Sequence, residues 1–183
     1  MKAYIDTSVI VSAYKPDEPS HRASMRIAKL DTLTKVGSYV LITELFAVTS
    51  RLYKTSQIKI SASVEEALSK LLMEERIYAL VNAIILDWNL QCPSLGFEVK
   101  QMMLKDFALS MPEAMLEACT IAPLVNLKTL DIMHIACAKI INEAAQDLKY
   151  FVTPDQDILN NRNEIERLTG FQPITPQEFV DLV

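Results

Sequence analysis

Residues 1–14 read MKAYIDTSVIVSAY, and the sixth of them carries most of the information. Asp6 interrupts an apolar run and is followed at once by the hydroxyls of Thr7 and Ser8. Burying an ionised carboxylate with no partner is costly, so an acid here stands at the end of a strand or has something cationic to hold. Residues 2–5 and the run VIVSAY read as a first strand leading into a turn or short helix, which the turn composition of KPDEPS closes.

Outward from this unit, strands and helices alternate. HRASMRIAKL suits a helix, SYVLI reads as a second strand, and TELFAVTSRLYK follows as a helix with Thr43 as its N-cap. Residues 62–82 have helical periodicity, with Val64, Ala67, Leu68, Leu71 and Leu72 on one face; AIILDWNL fits strand or helix, and residues 97–122 read as helical with Pro112 at a break or first turn. KTLDIMHIACAKIINEA is a buried helix with Thr129 as cap, KYFVT a strand, DILNNRNEIERLTG a helix closed by Gly170, FQPI a last strand and PQEFVDLV a final helix. Such alternation predicts an α/β fold: a central parallel sheet covered by helices on both faces, with an extra helical segment in the middle of the chain.

Composition sets the bounds. With 183 residues, half of them apolar, and no linker or low-complexity run, residues 1–183 are expected to form one domain. No apolar stretch reaches the roughly 20 residues of a membrane span, so a cytoplasmic protein with no membrane partner is expected. Cys92, Cys119 and Cys137 match no zinc spacing and read as reduced core thiols. The net charge of −5, from 23 acids and 18 bases, gives no global attraction to a polyanion. Any nucleic acid must be held locally.

Four acids now acquire a common address. Asp6 follows the first strand, Glu44 begins the helix after the second, Asp131 lies in the first turn of the buried helix, and Asp155 follows KYFVT. Ligands of open α/β sheets bind outside the carboxyl ends of the strands, where helix N-termini favour anions. Singly, each acid after the first is an ordinary helix-start charge; together they make a cleft that repels itself unless a hard divalent cation, with oxygen ligands at about 2.0–2.1 Å for Mg²⁺, neutralises it. His134 shares a helical face with Asp131 and could join such a site, but is read as a packed, hydrogen-bonded residue. His21 is placed at the surface. Arg22, Arg26 and Lys29 form a solvated stripe, and Tyr14, Tyr53 and Trp88 are assigned to packing.

YIDTSVIV (4–11), ITELFAV (42–48), LKTLDIMHIACA (127–138) and YFVTPDQDIL (150–159) are similar to the four sequence blocks of PIN-domain proteins, in order and approximate spacing. The resemblance implies a three-layer α/β/α PIN-like fold and an Mg²⁺- or Mn²⁺-dependent ribonuclease whose catalytic and metal-binding acids are Asp6, Glu44, Asp131 and Asp155. Ser8 and Asp157 are possible supporting residues, since VTPDQD offers two acids near the fourth position and Asp155 is the closer to the strand end. Many small proteins that look like this are VapC-type toxins, so the resemblance also implies an RNA substrate, a cognate antitoxin and a homodimer. The stretch between Glu44 and Asp131 is longer than in the small toxins. Two other functions fit the same blocks: a non-catalytic PIN-like module that binds RNA or protein, and a stand-alone RNA-processing nuclease. A haloacid-dehalogenase-like phosphatase is disfavoured, because it needs a second Asp where Ser8 stands. The antitoxin expected here would lay an amphipathic helix on apolar surface near residues 45–53 and place an Arg among the acids.

Overall fold

The computed structural model describes residues 1–183, with the side chain of Leu104 left out. In chain order the elements are β1 (Lys2–Ile5), α1 (Thr7–Ser12), α2 (His21–Ala28), β2 (Thr34–Val36), α3 (Tyr39–Lys54), α4 (Ala62–Ser69), α5 (Met73–Asp87), β3 (Val99–Leu104), β4 (Phe107–Pro112), α6 (Glu113–Ile121), α7 (Thr129–Ala145), β5 (Leu148–Val152), α8 (Gln156–Asn160), α9 (Arg162–Thr169), β6 (Gln172–Ile174) and α10 (Pro176–Leu182). Four strands form a parallel sheet in the order β2-β1-β5-β6, and β3 pairs with β4 in a separate antiparallel hairpin.

Apart from buried Lys35 of β2, the buried positions of the short strands are mainly apolar, as suits strands of a covered parallel sheet. Ala3, Ile5, Val152 and Ile174 pack with Val9, Ile10, Ile27, Leu41, Leu45, Ile84 and Phe179, which come from α1, α2, α3, α5 and α10. Tyr4, Val36 and Phe151 point the other way, into Ala118, Ile121, Ile135, Ala138, Ile158 and Ile165 of α6 to α9. Period-2 alternation along β1 thus divides one strand between two cores. The sheet is flanked by helices on both sides, as expected from the sequence.

Several local expectations are corrected. SYVLI is not a strand: Ser38 is the N-cap of α3, its Oγ accepting from Leu41 N at 3.5 Å, and residues 39–42 form the first helical turn. Thr43 is inside the helix, donating to the Tyr39 carbonyl, and Glu44 lies past the first turn. The second strand of the sheet is instead β2, which the sequence reading passed over. AIILDWNL belongs largely to α5. Residues 97–122 are not one helix but the β3–β4 hairpin followed by α6, so the added middle of the chain is part strand. Of the face assigned to residues 62–82, only Leu68 is buried, with Leu72 65% exposed. Thr129 is the first residue of α7 and Lys128 its cap. Only Cys137 is a core thiol; Cys92 and Cys119 are exposed.

Gly96 enters the hairpin at φ +79°, where a Cβ would also stand 3.2 Å from that of Ala114. Phe97 beside it packs against Tyr39, ring centres 4.5 Å apart with the planes tilted by 37°, which ties the hairpin's base to the start of α3. Among the described residues no helix is long and apolar enough to cross a membrane.

Candidate metal centre

The direction of the chain across the sheet reverses between β1 and β5: β1 leads outward to β2, β5 outward the other way to β6. Beyond the carboxyl ends of strands flanking such a reversal the connecting segments diverge and leave a crevice. Here it is a cleft of about 770 Å³ whose lining includes Asp6, Ser8, Glu44, Arg51, Asp131 and Asp155. The four acids picked out in the sequence therefore share one cavity.

Asp6 is the residue immediately after β1, 8% exposed. Its amide donates to the Val152 carbonyl at 3.0 Å, which extends the β1–β5 ladder by one step and fixes the backbone at the sheet's rim. Two hydroxyls, Ser8 Oγ and Thr153 Oγ1, each donate to Asp6 Oδ2 at 2.6 Å. Both arrive at one oxygen, so Oδ1 is left without a hydrogen-bond partner among the described residues. Thr153 does a second job: its Oγ1 accepts from Asp155 N at 3.0 Å, so one side chain couples the two acids across the reversal. Asp155 then caps α8, its Oδ1 accepting from Asp157 N at 2.7 Å.

The opposite wall comes from α3 and α7. Glu44 Oε2 lies 3.0 Å from His134 Nε2, and Tyr4 Oη bridges His134 Nδ1, at 3.0 Å, and Ser38 Oγ, at 2.7 Å. Burial alone would raise the Glu44 carboxyl, but the His134 bond, helped by the nearby Thr7 hydroxyl and by Arg51, outweighs it and holds the group below the usual carboxylate range. Thr7 Oγ1 is nevertheless buried with no partner within hydrogen-bond distance. For His134 burial disfavours the charge, and the facing carboxylates of Glu44, Asp6 and Asp131 overcome it, so the imidazole is more basic than usual.

Asp131 has the opposite balance. Burial and the charges of Asp155 and Asp6 all raise its carboxyl, with only partial relief from Lys128 and His134. Its Oδ2 is buried and has no hydrogen-bond partner. Such an oxygen costs on the order of 1–3 kcal/mol if nothing satisfies it, more when charged.

Asp157 is not part of the cleft lining. Its Oδ2 pairs with Lys128 Nζ at 3.3 Å on the exposed side of α8. Ser8, expected as a support, does hold Asp6 through its hydroxyl. The supports that local sequence did not reveal are Tyr4 and Ser38 behind His134 and Glu44, and Thr153 between Asp6 and Asp155; of these only the hydroxyl in VTPD was a signal, as an ST-turn beside an acid. His134 is buried and hydrogen-bonded, as expected, yet its partner is Glu44, 90 residues away in sequence. His21 is half-buried with Nδ1 2.9 Å from the Ser12 carbonyl, and Trp88 is fully buried.

The donor set suits a hard divalent cation. Asp6, Glu44 and His134 present ligand-type atoms within 4.8 Å of one another. Asp131 adds an unsatisfied oxygen in the same cleft, and Asp155 a further carboxylate. Carboxylate oxygens dominate, as Mg²⁺ and Mn²⁺ require, and no thiol lines the cleft among the described residues.

No family model matches the sequence, and no curated protein does. In the crystal structure of VapBC2 from Rickettsia felis bound to a DNA fragment from their promoter, one chain superposes over 96% of this chain and 98% of its own length, at 12% identity and a TM-score of 0.47. That likeness is too low to assign a fold or a function to this chain.

Proposed function

We propose that the chain is a divalent-metal-dependent endoribonuclease, hydrolysing phosphodiester bonds of single-stranded RNA in the cleft between α3, α7 and the ends of β1 and β5. The observation that carries this reading is the meeting of Asp6, Glu44, Asp131 and Asp155 in one cavity at the reversal of the sheet, with the Asp131 oxygen buried and unsatisfied. The resemblance of four sequence blocks to PIN-domain proteins supplies the substrate class and the choice of Mg²⁺ or Mn²⁺.

Asp6, Asp131 and Asp155 would hold the ion, with Glu44 binding directly or through water. When bound, it would supply Lewis-acid polarisation of the phosphoryl group and activate water at neutral pH. The chain's own groups set the frame. Ser8 and Thr153 fix Asp6 Oδ2 and leave Oδ1 without a hydrogen bond among the described residues. Arg51 is the one cation among the described lining residues, two turns along α3 from Glu44, where it can meet a substrate phosphate as a planar fork of donors. No protein nucleophile is required: both nitrogens of His134 are engaged by Glu44 and Tyr4, and no Ser/His/Asp arrangement exists among the described residues.

The same charge balance supports the toxin of a toxin–antitoxin pair. A cleft so rich in carboxylates attracts a cationic side chain, and Val48, at its rim on α3, offers apolar surface beside it. An antitoxin Arg placed among the acids would compete with the metal.

The test is cleavage of a single-stranded RNA with Mn²⁺, with Mn²⁺ plus chelator, and by the Asp6→Asn variant. Cleavage should require metal and fall by at least ~100-fold in the variant, the scale of losing a charge-stabilising group. Cleavage that persists in chelator overturns the reading.

A further inference from the structure

A chain of hydrogen bonds, mostly buried and closed through the backbone of α3, runs behind the acids. Ser38 Oγ caps α3 by accepting from Leu41 N, and lies 2.7 Å from Tyr4 Oη; Tyr4 Oη lies 3.0 Å from His134 Nδ1; His134 Nε2 lies 3.0 Å from Glu44 Oε2; and Glu44 returns to α3, six residues after Ser38. Its members come from the three elements that carry Asp6, Glu44 and Asp131. Tyr4 is two residues before Asp6 on the strand, His134 three after Asp131 on α7, and Glu44 is itself one of the acids.

Each link is held from elsewhere. Tyr4 is 0% and His134 2% exposed. The Tyr4 ring stacks on Phe151 with centres 5.0 Å apart and planes at 9°, and meets the His134 ring edge-on at 6.0 Å. A glutamate on a helix surface has three rotatable bonds and loses them only when something grips its end. Here the grip is an imidazole held in turn by a fully buried tyrosine stacked on Phe151.

The proximity of Asp6, Glu44 and His134 would also fit His134 as a metal ligand. The ring argues otherwise. A carboxylate accepts only, so Nε2 carries the proton it donates to Glu44, and Nδ1 is occupied by Tyr4. Neither nitrogen has a lone pair free for an ion.

The geometry points to Tyr4 and His134 as positioning residues: they orient Glu44 toward the ion and set the spacing of the acid-bearing elements, and His134 stays out of the coordination sphere. This rests on the metal-centre reading above. Outer partners of this kind typically change metal affinity by 10–100-fold when removed. Tyr4→Phe keeps the ring that stacks on Phe151 and deletes only the hydroxyl.

The experiment has two arms on the full chain. In metal-free protein, nitrogen-15 NMR of the His134 ring should show Nε2 protonated, with resonances that shift in Tyr4→Phe and in Glu44→Gln. In a Mn²⁺ titration, Tyr4→Phe should weaken binding about tenfold, while its melting temperature falls by only a few degrees, the cost of leaving His134 Nδ1 and Ser38 Oγ without their partner. Electron spin-echo spectra of the bound Mn²⁺ should show no directly coordinated nitrogen. An unprotonated Nε2, a coordinated nitrogen, or Tyr4→Phe affinity within twofold of the parent overturns the proposal. Should Tyr4→Phe not fold, Glu44→Gln in the NMR arm and the spin-echo spectrum of the parent still decide it. A parent chain that binds no Mn²⁺ counts against the metal centre itself, while the NMR arm alone then judges the ring.

Discussion

Asp155 and Asp157 stand two residues apart with unlike surroundings. Asp155 lines the cleft, tied to Asp6 through Thr153; Asp157 faces solvent and pairs with Lys128, whose ammonium is favoured above its ordinary range first by Asp157 and then by Asp155 and Asp131. An exposed pair of that kind contributes little. Asp155→Asn should therefore cost RNA cleavage about 100-fold or more, and Asp157→Asn no more than a few-fold, in rates measured side by side. Asp6 was legible in the sequence because a carboxylate inside the apolar run YIDTSVIV must end the strand or hold a cation, and here it does the first and is placed for the second. Tyr4 was not, since nothing in MKAYID says that its hydroxyl will meet a histidine 130 residues on. Local chemistry names the acids and the Ser8 that holds Asp6. The register of β1 against β5 and the packing of α7 name their other supports.

Elements were read best where cap and period agreed. Gly170 ends α9 at φ +78°, as its place in the sequence predicts; the reciprocal cap of α10 by Thr175, the residue before PQEFVDLV, and Glu178 went unread. SYVLI was misread because four apolar residues after Ser38 look like a buried strand, while the deciding feature is the hydroxyl of Ser38 itself, which starts a helix. The β3–β4 hairpin was hidden for a different reason. Its turn is Lys105–Asp106, with Lys105 at φ +51°, and carries none of the Asn-Gly or Asp-Gly signals that mark such turns. Both Ser38 roles should be measurable together. Ser38→Ala removes the α3 cap and a partner of buried Tyr4, and should lower unfolding free energy by about 1–2 kcal/mol in denaturant titration. A loss under ~0.3 kcal/mol would mean that neither bond matters.

At the scale of the whole molecule, the parallel sheet gathers charge that the chain does not itself neutralise. Strand order alone brings Asp6 and Asp155 to either side of the reversal, and α3 and α7 close the cleft with Glu44 and Asp131. Glu44 has His134, but Asp131 has only the distant relief of Lys128 and the same histidine, so its carboxyl is raised above the usual 3.8 by burial and by its neighbours' charges. The sign follows from linkage. A group whose pKa is higher folded than unfolded stabilises most below its unfolded value, and that contribution disappears as pH rises through the folded value. Ionised Asp131 is thus a cost to the metal-free fold at neutral pH, and Asp131→Asn should remove it, with the advantage of the variant growing from about pH 4 toward pH 7. A cation that binds only the folded cleft acts in the other direction, stabilising as its concentration exceeds its Kd.

The most direct measurement is thermal unfolding of the parent and Asp131→Asn at pH 7, each with and without millimolar Mn²⁺. Without metal the variant should melt above the parent, since it lacks the charge that burial, Asp155 and Asp6 disfavour. With Mn²⁺ the parent should rise by several degrees and the variant much less, so that their order reverses. A parent indifferent to Mn²⁺, or a variant that melts below it in metal-free buffer, would contradict the account: the acids would then be structural, and the cleft no metal centre.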